Sequence, residues 1–198
     1  MQCRTHLVTS CAVNLFLFNP TTISLLGITT ASSCLGGVIS DVDSRKSESN
    51  QILNKVNIIT ILISLIVIVV IKLKLFDIYK YIDVTILNYL ITFFLLLFVS
   101  NIGSKTAHRS FTHSFLFVII MFFILTESLP NSFVFPFIIG MLIHLVLDFT
   151  NHIGITIFYP IKKRFCLDLL DSDGLINKIL FYLSIFAICF YIVIYFFI

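Results

Sequence analysis

The chain has 198 residues, of which 59% are hydrophobic and 12% are charged, and its mean hydropathy is +1.08. A soluble core of this length cannot bury so much apolar surface, so much of it must face lipid. The net charge is only +3, and the Lys and Arg residues are scattered instead of forming a basic stripe with interleaved aromatics. The composition excludes a nucleic-acid-binding protein and predicts a protein embedded in a lipid bilayer.

Seven apolar segments follow one another along the chain, with turn signals such as Asn19-Pro20 and Pro130-Asn131 between them. The first segment is short and follows directly on His6, so we interpret residues 1–18 as mature protein and not as a signal peptide. We expect this segment to be tilted, partly buried in protein or re-entrant. The seven segments are Leu7–Phe18, Ile23–Ile39, Asn57–Leu75, Val84–Ile102, Ser114–Leu125, Phe133–Phe149 and Ile179–Ile198.

These segments predict an all-α fold, a polytopic transmembrane helical bundle of about six or seven helices. We expect a single domain over residues 1–198, with residues 178–198 as a C-terminal transmembrane anchor helix. When the segments are threaded alternately through a bilayer, every polar cluster described below falls at the same membrane face. All but three of the 13 Lys and Arg residues fall there too, so this face is predicted to be cytoplasmic. The exceptions are Lys72, Lys74 and Lys80.

The second segment ends in an acidic pair, Asp41 and Asp43, that follows Gly36 and Gly37. Carboxylates one residue apart offer the oxygen ligands that suit Mg²⁺, Mn²⁺ and sometimes Zn²⁺. A pattern this short is more often a solvated, charged loop that caps a helix. Taken alone, the pair therefore favours a loop over a metal site.

The loop before the fifth segment, HRSFTHS, carries His108, Arg109 and His113. N-cap preferences place the start of the next helix near Thr112 or Ser114. Two imidazoles on a loop-to-helix turn suit a metal, whereas Arg109 and the helix N-terminus would attract an anion such as a phosphate. The alternative is a polar loop with incidental histidines. Four of the five histidines fall in one predicted layer, which favours a site.

The sixth segment carries His144 and Asp148, which are four positions apart in an apolar helix. This spacing places both side chains on one face, about one turn apart. They could ligate one divalent ion together, or the carboxylate could orient the imidazole, or the pair could serve only to lock helix packing. The sequence leaves these alternatives open. We interpret His152, just beyond this segment, as an interfacial residue or as one that supports a ligand from behind, and not as a ligand.

In their order along the chain, these clusters resemble the YdjM/YbcI-type family of predicted inner-membrane metal-dependent hydrolases. The resemblance extends from the N-terminus to about residue 170 and so covers most of the chain. Its most specific element is the combination of HRxxTHS, HxxxD and G-[IV]-x-x-x-x-P. The segments that carry it are Thr5-His6-Leu7, GGVISDVDSRKS (36–47), HRSFTHS (108–114) and GMLIHLVLDFTNHIGITIFYPIKKRF (140–165).

The resemblance implies a multi-pass protein of the bacterial inner membrane that binds a divalent metal ion, Zn, Mn or Mg, through His and Asp side chains. Three departures stand out: Ser40 replaces a Pro before the first Asp, Ser44 replaces a His that often follows the second, and Ser110 replaces a Gly. Loss of the imidazole could weaken the site, change its preferred ion or matter little. By position, the implied metal ligands or close neighbours are His6, Asp41, Asp43, His108, His113, His144 and Asp148.

The favoured function is a hydrolase in which one or two divalent ions activate water against a phospho-ester or an acyl-ester. The candidate catalytic residues are Asp41 and His108, as general base or as ligands of a second ion, and Arg109, as a group that holds an anion. A lipid phosphate or another ester is the expected substrate class. The expected ligands of the ion are Asp43, His113, His144 and Asp148.

Two other functions stay open from the sequence. The first is a divalent-metal or proton-coupled transporter, because intramembrane His and Asp residues commonly mark ion pathways. The concentration of polar residues at one face counts against it. The second is a non-catalytic membrane protein in which a metal or His–Asp pairs staple the helices together.

Overall fold

The computed structural model describes residues 3–72, 83–169, 171 and 174–197 of the chain. These residues form α-helices and contain no β-strand, which confirms the predicted all-α fold. Two short 3₁₀ turns, Ser40–Asp43 and Phe111–His113, accompany the α-helices. The seven α-helices of the described residues are α1 (Cys3–Phe18), α2 (Ile23–Ile39), α3 (Glu48–Lys72), α4 (Val84–Ser104), α5 (Phe115–Thr126), α6 (Asn131–Phe149) and α7 (Leu175–Phe197).

Five of these helices are long and apolar enough to cross a membrane: α2 with the turn that follows it, α3, α4, α6 and α7. A crossing needs about 20 apolar residues. The other two helices are shorter, with 16 residues in α1 and 12 in α5. Ile, Leu, Val and Phe side chains are exposed along much of the bundle, as expected where helices contact lipid. The prediction of a polytopic membrane protein is confirmed.

The first helix starts earlier than the hydropathy predicts. It begins at Cys3 and not at Leu7, because polar residues such as Arg4 and Thr5 are compatible with a helix although they lower the local hydropathy. His6 therefore lies within a helix and not ahead of one. This places its side chain against the neighbouring helices, where it is buried.

The third helix also extends beyond its predicted segment. It begins at Glu48 and not at Asn57, since its first turns are rich in polar residues that a hydropathy profile does not count as helix. The predicted end of this segment, at residues 73–75, lies outside the described residues.

Helices α2 and α6 approach each other closely. A Cβ atom at Gly140 would lie 2.6 Å from the carbonyl oxygen of Ser33, and one at Gly36 would overlap the backbone of Phe137. Close backbone contact through small residues is a common way for transmembrane helices to associate. From α1, the Ser10 hydroxyl donates to the carbonyl oxygen of Gly140 at 3.3 Å. Helices α1, α2 and α6 therefore form one tightly packed unit.

The start of α5 is held from two sides. Ser114 is its N-cap, and the hydroxyl accepts a hydrogen bond from the backbone N–H of Phe117 at 3.3 Å, which confirms one of the two predicted caps. The backbone N–H of Phe115 donates to the carbonyl oxygen of Ile157 at 3.0 Å, so the segment after α6 packs under this turn. Between α5 and α6 lies an apolar core. Its fully buried side chains include Phe117, Met121, Leu125, Val134 and Met141.

Helix α7 packs against α1 and runs parallel to it. The hydroxyls of Thr9 and Ser184 lie 3.0 Å apart, and the Tyr191 hydroxyl donates to Oδ1 of Asn19 at 3.1 Å. Because the residue numbers rise together along both helices, α7 starts at the end of the bundle where α1 starts. The segment expected as a C-terminal anchor is thus a helix, Leu175–Phe197, that packs on the rest of the bundle.

Helices α3 and α4 lie at the periphery. The side-chain amides of Asn57 and Asn101 exchange two hydrogen bonds, at 2.8 and 3.0 Å. An apolar cavity of about 310 Å³ lies between these helices and the rest of the bundle, with Val42, Leu97 and Met121 among its lining residues. In the membrane-spanning window of α3 only 6% of residues are buried, against 50% in that of α6. Helix α3 therefore presents most of its length to lipid.

Candidate metal centre

Three histidines from distant parts of the sequence meet at one end of the bundle. His6 comes from the first turns of α1, His113 from the turn before α5, and His144 from the last turns of α6. The rings of His6 and His144 are stacked with centroids 4.0 Å apart, and the centroids of His113 and His144 are 5.1 Å apart. All three side chains are buried. The sequence predicted that these residues lie at one face of the membrane, and in the structure they form a single cluster.

His144 stands at the centre of the cluster. Its Nδ1–H donates to the carbonyl oxygen of Gly37 at 2.7 Å, a contact that the close packing of α2 and α6 makes possible. The bond assigns the proton to Nδ1 and leaves the lone pair of Nε2 directed into the cluster. That Nε2 atom lies 3.7 Å from Oδ1 of Asp41, 3.8 Å from Oδ2 of Asp148 and 3.2 Å from Nε2 of His113.

His113 has carboxylates next to both of its ring nitrogens. Its Nδ1 lies 3.2 Å from Oδ2 of Asp43, and its Nε2 lies 3.3 Å from Oδ2 of Asp148 and 3.8 Å from Oδ1 of Asp41. Burial lowers the pKa of His113, but the hydrogen bonds to Asp148 and Asp43 outweigh this and raise the pKa to about 9. The surroundings of this ring therefore favour positive charge. A divalent cation would compete with the proton for the inward nitrogen.

Asp43 is surrounded by donors. It accepts hydrogen bonds from the backbone N–H of Arg109 at 2.8 Å, from the Thr112 hydroxyl at 2.7 Å and from Nδ1–H of His108 at 2.9 Å, in addition to its contact with His113. Its carboxylate therefore orients the HRSFTHS loop and the His113 ring. A carboxylate in this position can support a metal ligand from behind.

The potential metal ligands form two groups that share His144. One group combines His6, His144 and Asp148, and the other combines Asp41, His113 and His144, with the ligand atoms of each group within 4.8 Å of one another. In the first group, Nε2 of His6 also lies 3.3 Å from Oδ1 of Asp148. Five of the seven residues that the sequence singled out as metal ligands or close neighbours thus belong to one or the other of these two groups.

The remaining two predicted ligands, Asp43 and His108, lie outside both groups. Asp43 directs its oxygens to the donors of the loop, and His108 lies on the outer side of Asp43 with its side chain 51% exposed. Asp41, at 15% exposure, is the other point at which the cluster approaches the surface. The histidines of the two groups are buried, whereas His108 is half-exposed. His108 is therefore set apart from them in position.

Several supporting residues were not identified from the sequence. Thr112 donates to Asp43 and lies within the HRSFTHS motif, where the sequence indicates only a possible helix cap. Gly37 contributes a carbonyl oxygen, and its place in the GGVISDVDSRKS motif does not reveal that role. Thr156, from the segment after α6, donates its backbone N–H to the carbonyl oxygen of Arg109 at 3.1 Å. His152, interpreted as interfacial, contacts the exposed Asp171 at 3.4 Å.

Comparison with known proteins agrees with this architecture. A family model described as YdjM inner membrane protein matches residues 1–198, the whole chain. The chain belongs to the YdjM family. A curated relative from Bacillus subtilis (strain 168), the uncharacterized protein YvsG, is 39% identical over 74 residues, which are 37% of this chain and 46% of the relative. No solved structure matches the chain.

Membership in the YdjM family confirms the resemblance drawn from the sequence motifs and makes this an inner membrane protein by family. The matched region covers less than half of the length of YvsG. The family description specifies the membrane and no reaction, so the chemistry of the cluster has to be argued from its residues.

Proposed function

We propose that the protein is a membrane-embedded, metal-dependent hydrolase whose His and Asp cluster holds a divalent ion that activates water against an ester. The observation that carries the proposal is the position of the His144 Nε2 atom, which belongs to both groups of potential ligands. Its lone pair is directed inward because Nδ1–H is bound to Gly37. Such an arrangement is typical of metal-binding histidines.

The donor set fits a metal ion. Imidazole nitrogen together with carboxylate oxygen suits Zn²⁺ and Mn²⁺, whereas Mg²⁺ prefers oxygen ligands alone. In addition, the buried Nδ1 atom of His6 has no hydrogen-bond partner among the described residues. Polar atoms in such positions normally have partners. An ion bound at Nδ1 would give this nitrogen a partner.

The residues that would hold the ion and those that would orient its ligands are different. Gly37 and Asp43 would fix the outer nitrogens of His144 and His113, as the present hydrogen bonds do. When bound, the ion would supply water of lowered pKa and would neutralise negative charge that develops during ester cleavage. The five residues that would hold the ion are His6, Asp41, His113, His144 and Asp148.

In this proposal His108 moves a proton. Its Nδ1–H donates to Asp43 at 2.9 Å, which leaves Nε2 to accept or donate a proton at the exposed side of the ring. A histidine oriented by a carboxylate is a common general base or acid. His108 thus acts on the water or the leaving group at the edge of the cluster, while the buried histidines bind.

The test uses detergent-purified protein loaded with Zn²⁺ or Mn²⁺. We expect turnover of at least one of three probes, p-nitrophenyl phosphate, phosphatidic acid in mixed micelles or a fluorogenic acyl ester. His144→Ala should lower that turnover by about 100-fold or more, because it removes the ligand that both groups share. His152→Ala, which alters a half-exposed ring outside the cluster, is the matched control. Unchanged turnover in His144→Ala would falsify the assigned role.

A second candidate is favoured by the burial of the cluster. His6, His113, His144 and Asp148 are almost inaccessible, as in a site that only staples helices together. His108→Ala separates the two functions, because His108 lies outside both ligand groups. A hydrolase should lose turnover in this variant and keep its bound metal, as measured by elemental analysis. A structural site should show no turnover in the unaltered protein, and metal loss in a His113→Ala/His144→Ala variant should then lower only its thermal stability.

We also infer that the cluster faces the cytoplasm, since the Lys and Arg residues concentrate at that end. Cys166 is exposed in the segment that follows α6 at this end of the bundle. In a variant that keeps Cys166 as its single cysteine, a membrane-impermeant maleimide should label inverted vesicles and not intact cells. Labelling in intact cells would reverse the orientation.

A further inference from the structure

Arg109 is a buried cation with unused hydrogen-bonding capacity. Its side chain is only 7% exposed to solvent, and the residue as a whole is 6% exposed. Nη2 lies 3.4 Å from Oδ1 of Asp148, which is also a contact of His6. Nε and Nη1 are buried and have no hydrogen-bond partner among the described residues. Buried donors of a charged group that lack a partner destabilise a fold, so their retention requires a reason.

The backbone of Arg109 is held in a conformation that an arginine rarely adopts. Its φ is +61°, in the left-handed region that favours glycine. The backbone N–H donates to Oδ2 of Asp43 at 2.8 Å, and the carbonyl oxygen accepts from the backbone N–H of Thr156 at 3.1 Å. Strain of this kind persists where the surrounding structure fixes it, and it is concentrated at functional sites. The loop is thus anchored on both sides of the residue that directs a guanidinium inward.

The charge of this guanidinium is only partly balanced. Asp148 lies close to Arg109, but its oxygens also contact His6 and His113, so the carboxylate is shared between the cation and the cluster. A planar guanidinium matches the geometry of two oxygens on one anion, and phosphate is a common partner. A neutral ester carbonyl could accept one hydrogen bond but would not balance the charge.

We propose that Arg109 forms an oxyanion subsite beside the metal cluster and that the substrate is a phosphate ester. Its phosphoryl oxygens accept hydrogen bonds from the free N–H groups of Arg109. This inference rests on the proposed function, because it names the substrate class of the same site. The shared chemistry is the phosphoryl group. A lipid head group and a soluble phosphomonoester both present it, and the experiment separates these two sources.

The experiment measures binding and not turnover. Metal-loaded protein in detergent is titrated with inorganic phosphate by calorimetry, with acetate as the competing anion. We expect phosphate to bind at least 10-fold more tightly than acetate, and Arg109→Gln to weaken phosphate binding by about 10- to 100-fold. Arg109→Lys should give an intermediate loss, since Lys keeps the charge but not the fork. Arg45→Gln, which removes an exposed guanidinium near the acidic turn, should leave phosphate binding unchanged.

The metal content of each variant is measured in parallel, so that the two proposals can fail separately. If metal is bound and acyl esters are hydrolysed, but phosphate binds no better than acetate, the oxyanion subsite is wrong and the hydrolase stands. Equal phosphate affinity in folded Arg109→Gln also overturns the subsite. If Arg109→Gln does not fold, the Arg109→Lys variant and the phosphate preference of the unaltered protein still test the oxyanion subsite. Competition by phosphatidic acid in micelles at lower concentration than glycerol phosphate would identify the source as a lipid, and the reverse would identify a soluble ester.

Discussion

The membrane-spanning windows of α3 and α6 are similarly hydrophobic, yet the two helices occupy very different environments. Half of the membrane-spanning window of α6 is buried, compared with 6% of that of α3. The difference arises from small and polar residues: α6 carries Gly140, His144 and Asp148 on the side that meets α2, whereas α3 meets α4 through the Asn57–Asn101 pair. Hydropathy identifies both helices as membrane spans, but only the small and polar residues show which one builds the interior.

The largest effect should come from breaking the contact of α2 with α6. Gly36→Leu places a side chain where the backbone of Phe137 lies, so we expect a loss of about 3 kcal/mol in the free energy of unfolding, or failure to fold. Gly27→Leu on the same helix, with no atom within 4 Å of its Cβ position, should change it by less than about 0.5 kcal/mol. Thermal unfolding in detergent measures both. Equal effects would show that the helix pair is not the stable unit of the bundle.

The next effect is stabilisation by a bound ion. Zn²⁺ or Mn²⁺ at 100 times its dissociation constant should stabilise the protein by about 2.7 kcal/mol. Hydrogen exchange should slow at the C-terminal end of α6 and in the HRSFTHS loop, and it should be unaltered in the outer part of α3. His144→Ala should abolish the effect, whereas His152→Ala should retain it. An equal slowing in α3 would place the ion elsewhere.

A smaller effect is expected for the residue that orients His113. Asp43→Asn keeps the shape but loses the negative charge and one acceptor, so metal affinity should fall by about 10- to 100-fold. Asp168→Asn is a suitable control because Asp168 has φ +52°, which Asn tolerates, and its side chain is exposed. Competition with a metal-sensitive dye measures the affinity. A complete loss of binding would indicate that Asp43 is itself a ligand.

The smallest effect belongs to the peripheral helices. Asn57→Leu removes both interhelical hydrogen bonds between Asn57 and Asn101 at membrane depth, and such bonds contribute about 0.6 kcal/mol each on average. Replacing both residues by Leu should therefore cost little more than replacing one, and metal affinity should not change. A loss as large as that of Gly36→Leu would mean that α3 and α4 also belong to the stable core.

The sequence was sufficient to predict that the chain is a bundle of apolar helices, and five of its seven candidate ligands lie in the two groups, because hydropathy and the positions of His and Asp residues are both local signals. It was not sufficient to separate Asp41 from Asp43. The 3₁₀ turn that contains them has three residues per turn, so side chains two positions apart point roughly 120° away from each other. One carboxylate therefore faces His144 and the other faces the HRSFTHS loop. The D-x-D pattern does not reveal this turn, because the neighbouring helices decide its conformation.

The start of α3 is a second feature that the sequence alone did not predict. Its first turns are polar, and a profile of hydropathy begins the helix only where the apolar run starts, near Asn57. Tertiary contacts extend the helix back to Glu48, with the buried Asn50 amide donating to the carbonyl oxygen of Val42 at 2.5 Å. Such contacts join segments that the sequence alone does not pair.

The near-complete burial of His6, His113, His144 and Asp148 has a kinetic consequence. An ion held by these side chains could leave only when the loop or a helix end separates from its neighbours, so its release would be limited by local opening. Chelators such as EDTA should then strip the protein at a rate that does not depend on their concentration, and brief dialysis would leave the ion in place.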